Sequence, residues 1–259
     1  MMIELMMSGT FIMLSLVKSS AISLSALTEV RAGDGAMLTQ GLSAGLAVMV
    51  GILVTGEASG AHMNPAVSVG MAIWGRIPLT SLPAYLLGQF LGAFSSAGIL
   101  LLSWSSTIAK TGPAVMTSFP DLGVTEAELG VDQGLATFLM VLVACSLEDQ
   151  HHSPPSLLMG LTVATVTITM GQNAGASMNP TVDMMPRLMA ALYNGDLSSF
   201  RKGGNFWMIP FLVPYLGSLI AVSVYYFFIE RPRVTGKRSV SDVGSAEIDT
   251  GTNFDPPTL

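Results

Sequence analysis

The chain has 259 residues, half of them hydrophobic, with 11% charged residues, a formal net charge of −6 and a mean hydropathy of +0.59. Soluble globular domains carry about 25% charged residues, so the composition excludes an ordinary soluble domain and points to a chain mostly immersed in lipid. One cysteine, Cys145, excludes an internal disulfide.

Apolar runs of about 20 residues mark membrane-spanning helices. Six are predicted, at roughly 2–24, 38–56, 82–104, 131–148, 156–172 and 206–229. The first lacks a basic leading region and is long for a leader, so it reads as a span and not as a cleavable signal. The second carries Gly41 and Gly45 and the third Gly88 and Gly92, a spacing that lets helices close tightly on their neighbours. Between the fourth and fifth, "EDQHHSPP" reads as a solvated turn holding His151 and His152. Residues 231–259 are polar, contain prolines and lack apolar periodicity, which predicts a disordered tail. Arg231, Arg233, Lys237 and Arg238 follow the last span closely, as at a cytoplasmic end near anionic lipid.

After the second and fifth spans the chain repeats G-x-x-x-G-A-x-M-N-P, from Gly56 to Pro65 and from Gly171 to Pro180, at an offset of 115 residues. The repeat divides residues 1–230 into halves of about 1–115 and 116–230 with three spans each. An odd number of spans per half makes the second half enter from the opposite side, an inverted repeat. Asn is a favoured helix N-cap and Pro a favoured first helical residue, so each Asn-Pro is a helix start. The apolar stretches that follow are too short to cross the bilayer. The predicted fold is therefore all-α: six transmembrane helices plus two half-spanning helices in an inverted repeat. Two helix starts entering from opposite faces bring two partially positive ends together near the midplane. Irregular backbone at that depth is tolerated only if it is buried or lines a wet cavity. The prediction is a pore that repels cations and admits neutral hydrogen-bonding solutes.

The paired boxes, with "SGAHMNPAV", "TSFP", "NPTVDMMPRL" and "FLVPYLG", make residues 1–230 resemble the aquaporin family. Within it the chain is similar to the glycerol-conducting branch in Phe119, Asp183, Arg187 and Pro214, and departs from it at Tyr215. Asp183 and Arg187 are also i and i+4 on the second half-helix, where a helix-stabilising ion pair accounts for them physically. The resemblance implies a passive channel for water, glycerol and other small uncharged solutes, with urea or larger polyols as further candidates. It also implies a homotetramer in lipid at the plasma membrane, both termini cytoplasmic, with no cofactor.

Residue by residue, the resemblance implies that the pore boxes are Asn64, Pro65, Ala66 and Asn179, Pro180, Thr181. Ala44, Thr167, Ala176 and Val182 fall at the outer selectivity filter. Related channels have Arg at the last of these, so the expectation is a wider and less polar outer mouth whose polar contacts are Thr167 and backbone carbonyls. Gln133 and Met6 stand where the family has buried Glu, which implies looser loop carbonyls. His62 is implied to line the cytoplasmic vestibule, with Glu57 as a nearby partner for pH gating; a neutral, hydrogen-bonded His is the plainer reading.

Two other readings remain open. A channel of the same fold that leaks cations or protons follows from the missing Arg. A secondary transporter also uses inverted repeats and broken helices, though the apolar runs are nearly free of the ionisable residues that coupling uses. An enzyme is not expected: the His and Cys residues form no metal-ligand spacing, and "GLSAG" matches a nucleophile pattern by letters alone, inside a span. No basic or aromatic pattern suggests nucleic acid.

Overall fold

A computed structural model describes residues 36–112, 116–150 and 155–235. The expected first span, Glu4, Met6, His151, His152 and the chain beyond 235 lie outside the described residues. Within them every regular element is helical: α1 (Ala36–Ser59), α2 (Pro65–Ile73), α3 (Leu82–Ser103), α4 (Ser105–Thr111), α5 (Glu126–Gln150), α6 (Pro155–Met170), α7 (Pro180–Asn194), α8 (Ser198–Arg201) and α9 (Met208–Tyr225). Met37–Ser59, Leu79–Ser103, Glu126–Asp149 and Met208–Thr235 are long and apolar enough to cross a bilayer, and α6 is a shorter apolar helix. These five stretches coincide with the second to sixth predicted runs.

The last span corrects one boundary. Residues expected to begin a disordered tail at 231 continue the helix to Thr235, after a π-helical turn over Tyr226–Glu230. Charge pairing holds them. Arg233 bonds Asp149 at the end of α5, Tyr225 Oη donates to the same carboxylate at 2.8 Å, and Glu230 takes Arg76 at 2.8 Å and Trp74 Nε1 at 2.7 Å. This cluster ties the segment after α2 to the ends of α5 and α9.

The half-helices are short because both ends are punctuated. Asn64 and Asn179 sit in extended backbone as N-caps, each followed by Pro. α2 stops at Trp74 before Gly75, which takes a positive φ of 82°. α7 stops at Gly195, left-handed at φ 72°, whose N–H returns to the Ala191 carbonyl. At 1.5 Å per residue α2 is about 14 Å long, under half of a bilayer core of about 30 Å.

Packing follows the inverted repeat. α2 lies on α9 and α7 lies on α3, so each half-helix rests on the third helix of the opposite half; α1 packs on α6 and α5 on α9. Small residues set these approaches. A Cβ on Gly45 would fall 2.3 Å from the Gly160 carbonyl oxygen, one on Gly160 2.8 Å from that of Gly45, and one on Gly217 2.4 Å from that of Gly134. Gly45 and Gly160 are themselves related by the repeat offset of 115. With so little apolar driving force between helices in lipid, this close contact is a main source of association.

Because backbone cannot yield as a flexible side chain can, Gly45→Val is expected to destabilise by about 3 kcal/mol, the upper end for overpacking. Gly130→Ala, at a position with nothing within 4 Å of the added Cβ, is the control. Thermal midpoints of the two variants in detergent should fall for the first and hold or rise for the second.

Candidate functional site

The two Asn-Pro starts meet and bind each other. Asn64 Nδ2 donates to the Met178 carbonyl at 2.7 Å, and Asn179 Nδ2 donates to the Met63 carbonyl at 2.8 Å. Each Asn also caps its own helix: Asn64 Oδ1 accepts from Ala66 N–H at 2.9 Å and Asn179 Oδ1 from Thr181 N–H at 3.0 Å. Thr181 adds its hydroxyl to Asn179 Oδ1 at 2.8 Å, a contact that Ala66 in the first copy lacks. With oxygen on the helix and nitrogen on a carbonyl, neither amide can be turned around.

Backbone strain accompanies the junction. Ala61 and Met178 are non-glycine residues with φ of 52° and 48°, a conformation that costs on the order of 1–3 kcal/mol each. Met178 is held there from both sides, its carbonyl by Asn64 and its N–H by Gln133 Oε1 at 3.1 Å. Gln133 also donates from Nε2 to the Gly175 carbonyl at 2.7 Å. The expectation of loosened loop carbonyls is therefore corrected at this position: a neutral amide supplies both a donor and an acceptor and buries no charge. In the other half Gln89 Nε2 reaches the His62 carbonyl and, at 2.8 Å, Ser68 Oγ.

Two cavities flank the junction. The inner one, at the end where Arg233 meets Asp149, has a volume of about 380 Å³ and is lined by His62, Asn64, Val48, Ile52, Val67, Glu148 and four methionines, Met63, Met71, Met140 and Met159, among others. The outer one has about 30 Å³ and brings together Ala44, Thr167, Ala176 and Val182, with Gln40, Ser118, Gly175, Ser177, Met178, Met140 and Val163. The linings obey the repeat. Ile52, His62, Met63 and Val67 face the inner cavity, while Thr167, Ser177, Met178 and Val182, each 115 residues later, face the outer one. Ala44 faces out and its counterpart Met159 faces in, because α1 and α6 run in opposite directions past the same path.

Met140, Met178 and Val163 line the outer cavity beside the short ring residues. Two expectations need correction. Asn179 is fully buried, its Nδ2 donating to the Met63 carbonyl and its Oδ1 accepting from Thr181, and it is not among the residues that line these two cavities. Glu57 is exposed and lines neither cavity, so it does not partner His62 there. The His62 ring packs at 5.1 Å from Tyr85, and its Nδ1 is buried without a hydrogen-bond partner among the described residues. Thr167 Oγ1 is likewise buried and unpartnered. In a cavity wall, such a hydroxyl is a ready donor and acceptor for a passing solute.

Asp183 and Arg187 lie away from the cavities and act as a clamp. Both are buried, and the pair is bidentate: Arg187 Nε to Asp183 Oδ2 at 2.9 Å and Nη2 to Oδ1 at 2.8 Å. The same guanidinium donates to the carbonyls of Ser118 at 2.7 Å and Ser199 at 2.5 Å, and Asp183 accepts from Ser118 N–H at 2.9 Å. Phe119 lies 5.0 Å from the Arg187 guanidinium and 4.4 Å from Lys202 Nζ, within cation–π range. The clamp thereby positions Ser118 in the outer cavity wall. Pro214 is buried inside α9 and lines neither cavity.

Met140 and Val163 line both cavities, and sequence reasoning singled out neither. Val163 was legible: it is the offset-115 counterpart of Val48, four residues before Thr167 on the same helix face. Met140 carries no motif, and only packing shows its place.

A family model described as Major intrinsic protein matches residues 1–225. Human Aquaporin-9 is 32% identical over 239 residues, covering 86% of this chain and 80% of that protein. Human Aquaporin-10 is 27% identical over 256 residues, covering 92% and 84%. The X-ray structure of the aquaglyceroporin from Plasmodium falciparum superposes with a TM-score of 0.77 at 24% identity, over 86% of this chain and 97% of that one, a likeness of fold.

Removing one member of the clamp leaves a charge buried alone. Asp183→Ala is expected to cost about 3–5 kcal/mol, read as a lowered thermal midpoint and a reduced monodisperse fraction in detergent. The double change Asp183→Leu with Arg187→Met, which removes both charges, should recover most of that loss.

Proposed function

The chain belongs to the major intrinsic protein family, and from that membership we propose that it conducts water and glycerol passively across a lipid bilayer. It is an integral membrane protein and a channel, not an enzyme. The observation that carries the reading is the reciprocal pair Asn64 to Met178 and Asn179 to Met63, which joins two capped helix starts between two cavities.

The mechanism follows from what these groups offer. A solute entering the inner cavity meets the Asn64 amide, whose nitrogen has a second hydrogen beyond the one given to Met178. Past the junction it meets the free Thr167 hydroxyl. Each contact replaces part of the hydration shell. A cation gains nothing comparable, because both half-helices present N-terminal, partially positive ends. This opposes a cation leak even though Val182 supplies no charge of its own. Neutral solutes with adjacent hydroxyls suit a path of alternating polar points and apolar walls.

Exposed Leu42, Leu46, Leu53 and Val54 on α1, and Leu87, Leu91 and Leu102 on α3, support lipid or subunit contact around the outside. The family resemblance supports a homotetramer in the plasma membrane, and the basic residues after α9 support cytoplasmic termini.

Swelling of proteoliposomes in water, glycerol and urea tests the reading; vesicles that behave like empty ones overturn it. Val182→Arg adds a long cationic side chain to a cavity of about 30 Å³. It is expected to lower glycerol flux about tenfold, a barrier increase of ~1.4 kcal/mol, while water flux falls less. Equal loss for both solutes contradicts the assignment of Val182 to the outer ring.

A further inference from the structure

Resting on the channel reading above, we propose that Met140 is a movable partition that sets the size of solute this channel passes, in place of the outer ring. The two cavities abut at Met140 on α5 and Val163 on α6, the residues that line both. Both are almost wholly buried, at 2% exposure. The two cavities thus adjoin at an apolar pair, and on this proposal a solute advances when one of the two side chains moves.

The chemistry of the pair decides which one. Val163 is β-branched on a helix, where a single χ1 rotamer dominates. Met140 is unbranched, with three rotatable bonds and a polarizable thioether, the side chain best suited to repacking. The direction is decided by space. The outer cavity, at about 30 Å³, has no room to receive a thioether; the inner one, at about 380 Å³, does. Met140 thus swings towards the inner cavity, where Met63, Met71 and Met159 form an equally adaptable wall.

The ring residues do not share this role. Ala44 and Ala176 have no side-chain torsion to turn, Val182 is β-branched on a helix with one dominant rotamer, and Thr167, with two, exchanges only a hydroxyl for a methyl of similar size. The outer ring has a fixed bore, and the adjustable element lies one layer deeper. Solute size is then limited by how far Met140 can retract and not by Val182 alone.

The test compares wild-type proteoliposomes with Met140→Ala, Met140→Ile and Met140→Cys, using water, glycerol and polyols of four to six carbons. Met140→Ala is expected to raise the ratio of polyol to glycerol flux about tenfold, and Met140→Ile, similar in size but locked at χ1, to lower glycerol flux by about the same factor. Flux through Met140→Cys should fall on treatment with a small methanethiosulfonate. The wild type should not respond, because its one cysteine, Cys145, is fully buried. If the wild type conducts but all three variants keep its flux ratios and Met140→Cys ignores the reagent, the partition is overturned and the channel stands. If the wild type passes neither water nor glycerol, the channel reading itself falls and this proposal falls with it.

Discussion

The structure turns on two hydrogen bonds that cross between the halves of the chain. A helix that begins inside a membrane has N–H groups and a preceding loop with nowhere to find water, and each unsatisfied group there is costly. Asn64 and Asn179 solve this twice over, capping their own helices with oxygen and holding the opposite loop's carbonyl with nitrogen. Because each Asn satisfies the other's loop, neither half can complete its junction alone. The strained φ of Met178, the bonds from Gln133 and the resting of each half-helix on the far half's third helix all serve this meeting point.

From that junction the path inherits the symmetry of the repeat, and its asymmetries are local. Val67 and Val182 occupy equivalent places on the two sides, so the outer mouth carries the same side chain as the inner. The differences lie in what surrounds them. His62 is matched by Ser177, Ile52 by Thr167 and Met159 by Ala44 at the repeat offset, which leaves the inner side larger and rich in methionine and the outer side small and lined by short groups. The only polar side-chain atom buried without a partner on the outer side, among the described residues, is the Thr167 hydroxyl.

Glu148 stands in the wall of the inner cavity; the paired charges lie off the path and serve as anchors. Asp183 and Arg187 are buried at 1% and 0% exposure, and a pair in that position survives because both carboxylate oxygens and all three guanidinium nitrogens are hydrogen-bonded. At the other end, Arg76, Asp149, Glu230 and Arg233 fasten the segment after α2 to α5 and α9. The first half-helix is thus secured beyond its far end and the second from its first turn onward, leaving the two Asn caps to face each other.

Local composition and the 115-residue repeat determined most of the architecture: five of the predicted spans, the two half-helices and the inverted halves. These are legible because span length, Asn-Pro caps and helical periodicity are properties of short stretches, and the repeat states which positions are equivalent. The grouping of Ala44, Thr167, Ala176 and Val182 came from the resemblance to the aquaporin family, and one cavity gathers them. Family membership, legible in the boxes, is carried by the matched relatives. Cavity size, the burial of Asn179, the exposure of Glu57 and the partition at Met140 were decided only by tertiary structure. Each depends on which side chains from distant helices fill a given volume, and volume is shared by all of them. The small ring residues are visible in the chain, but the space beside them is shaped also by Met140, Met178 and Val163, from helix and loop alike.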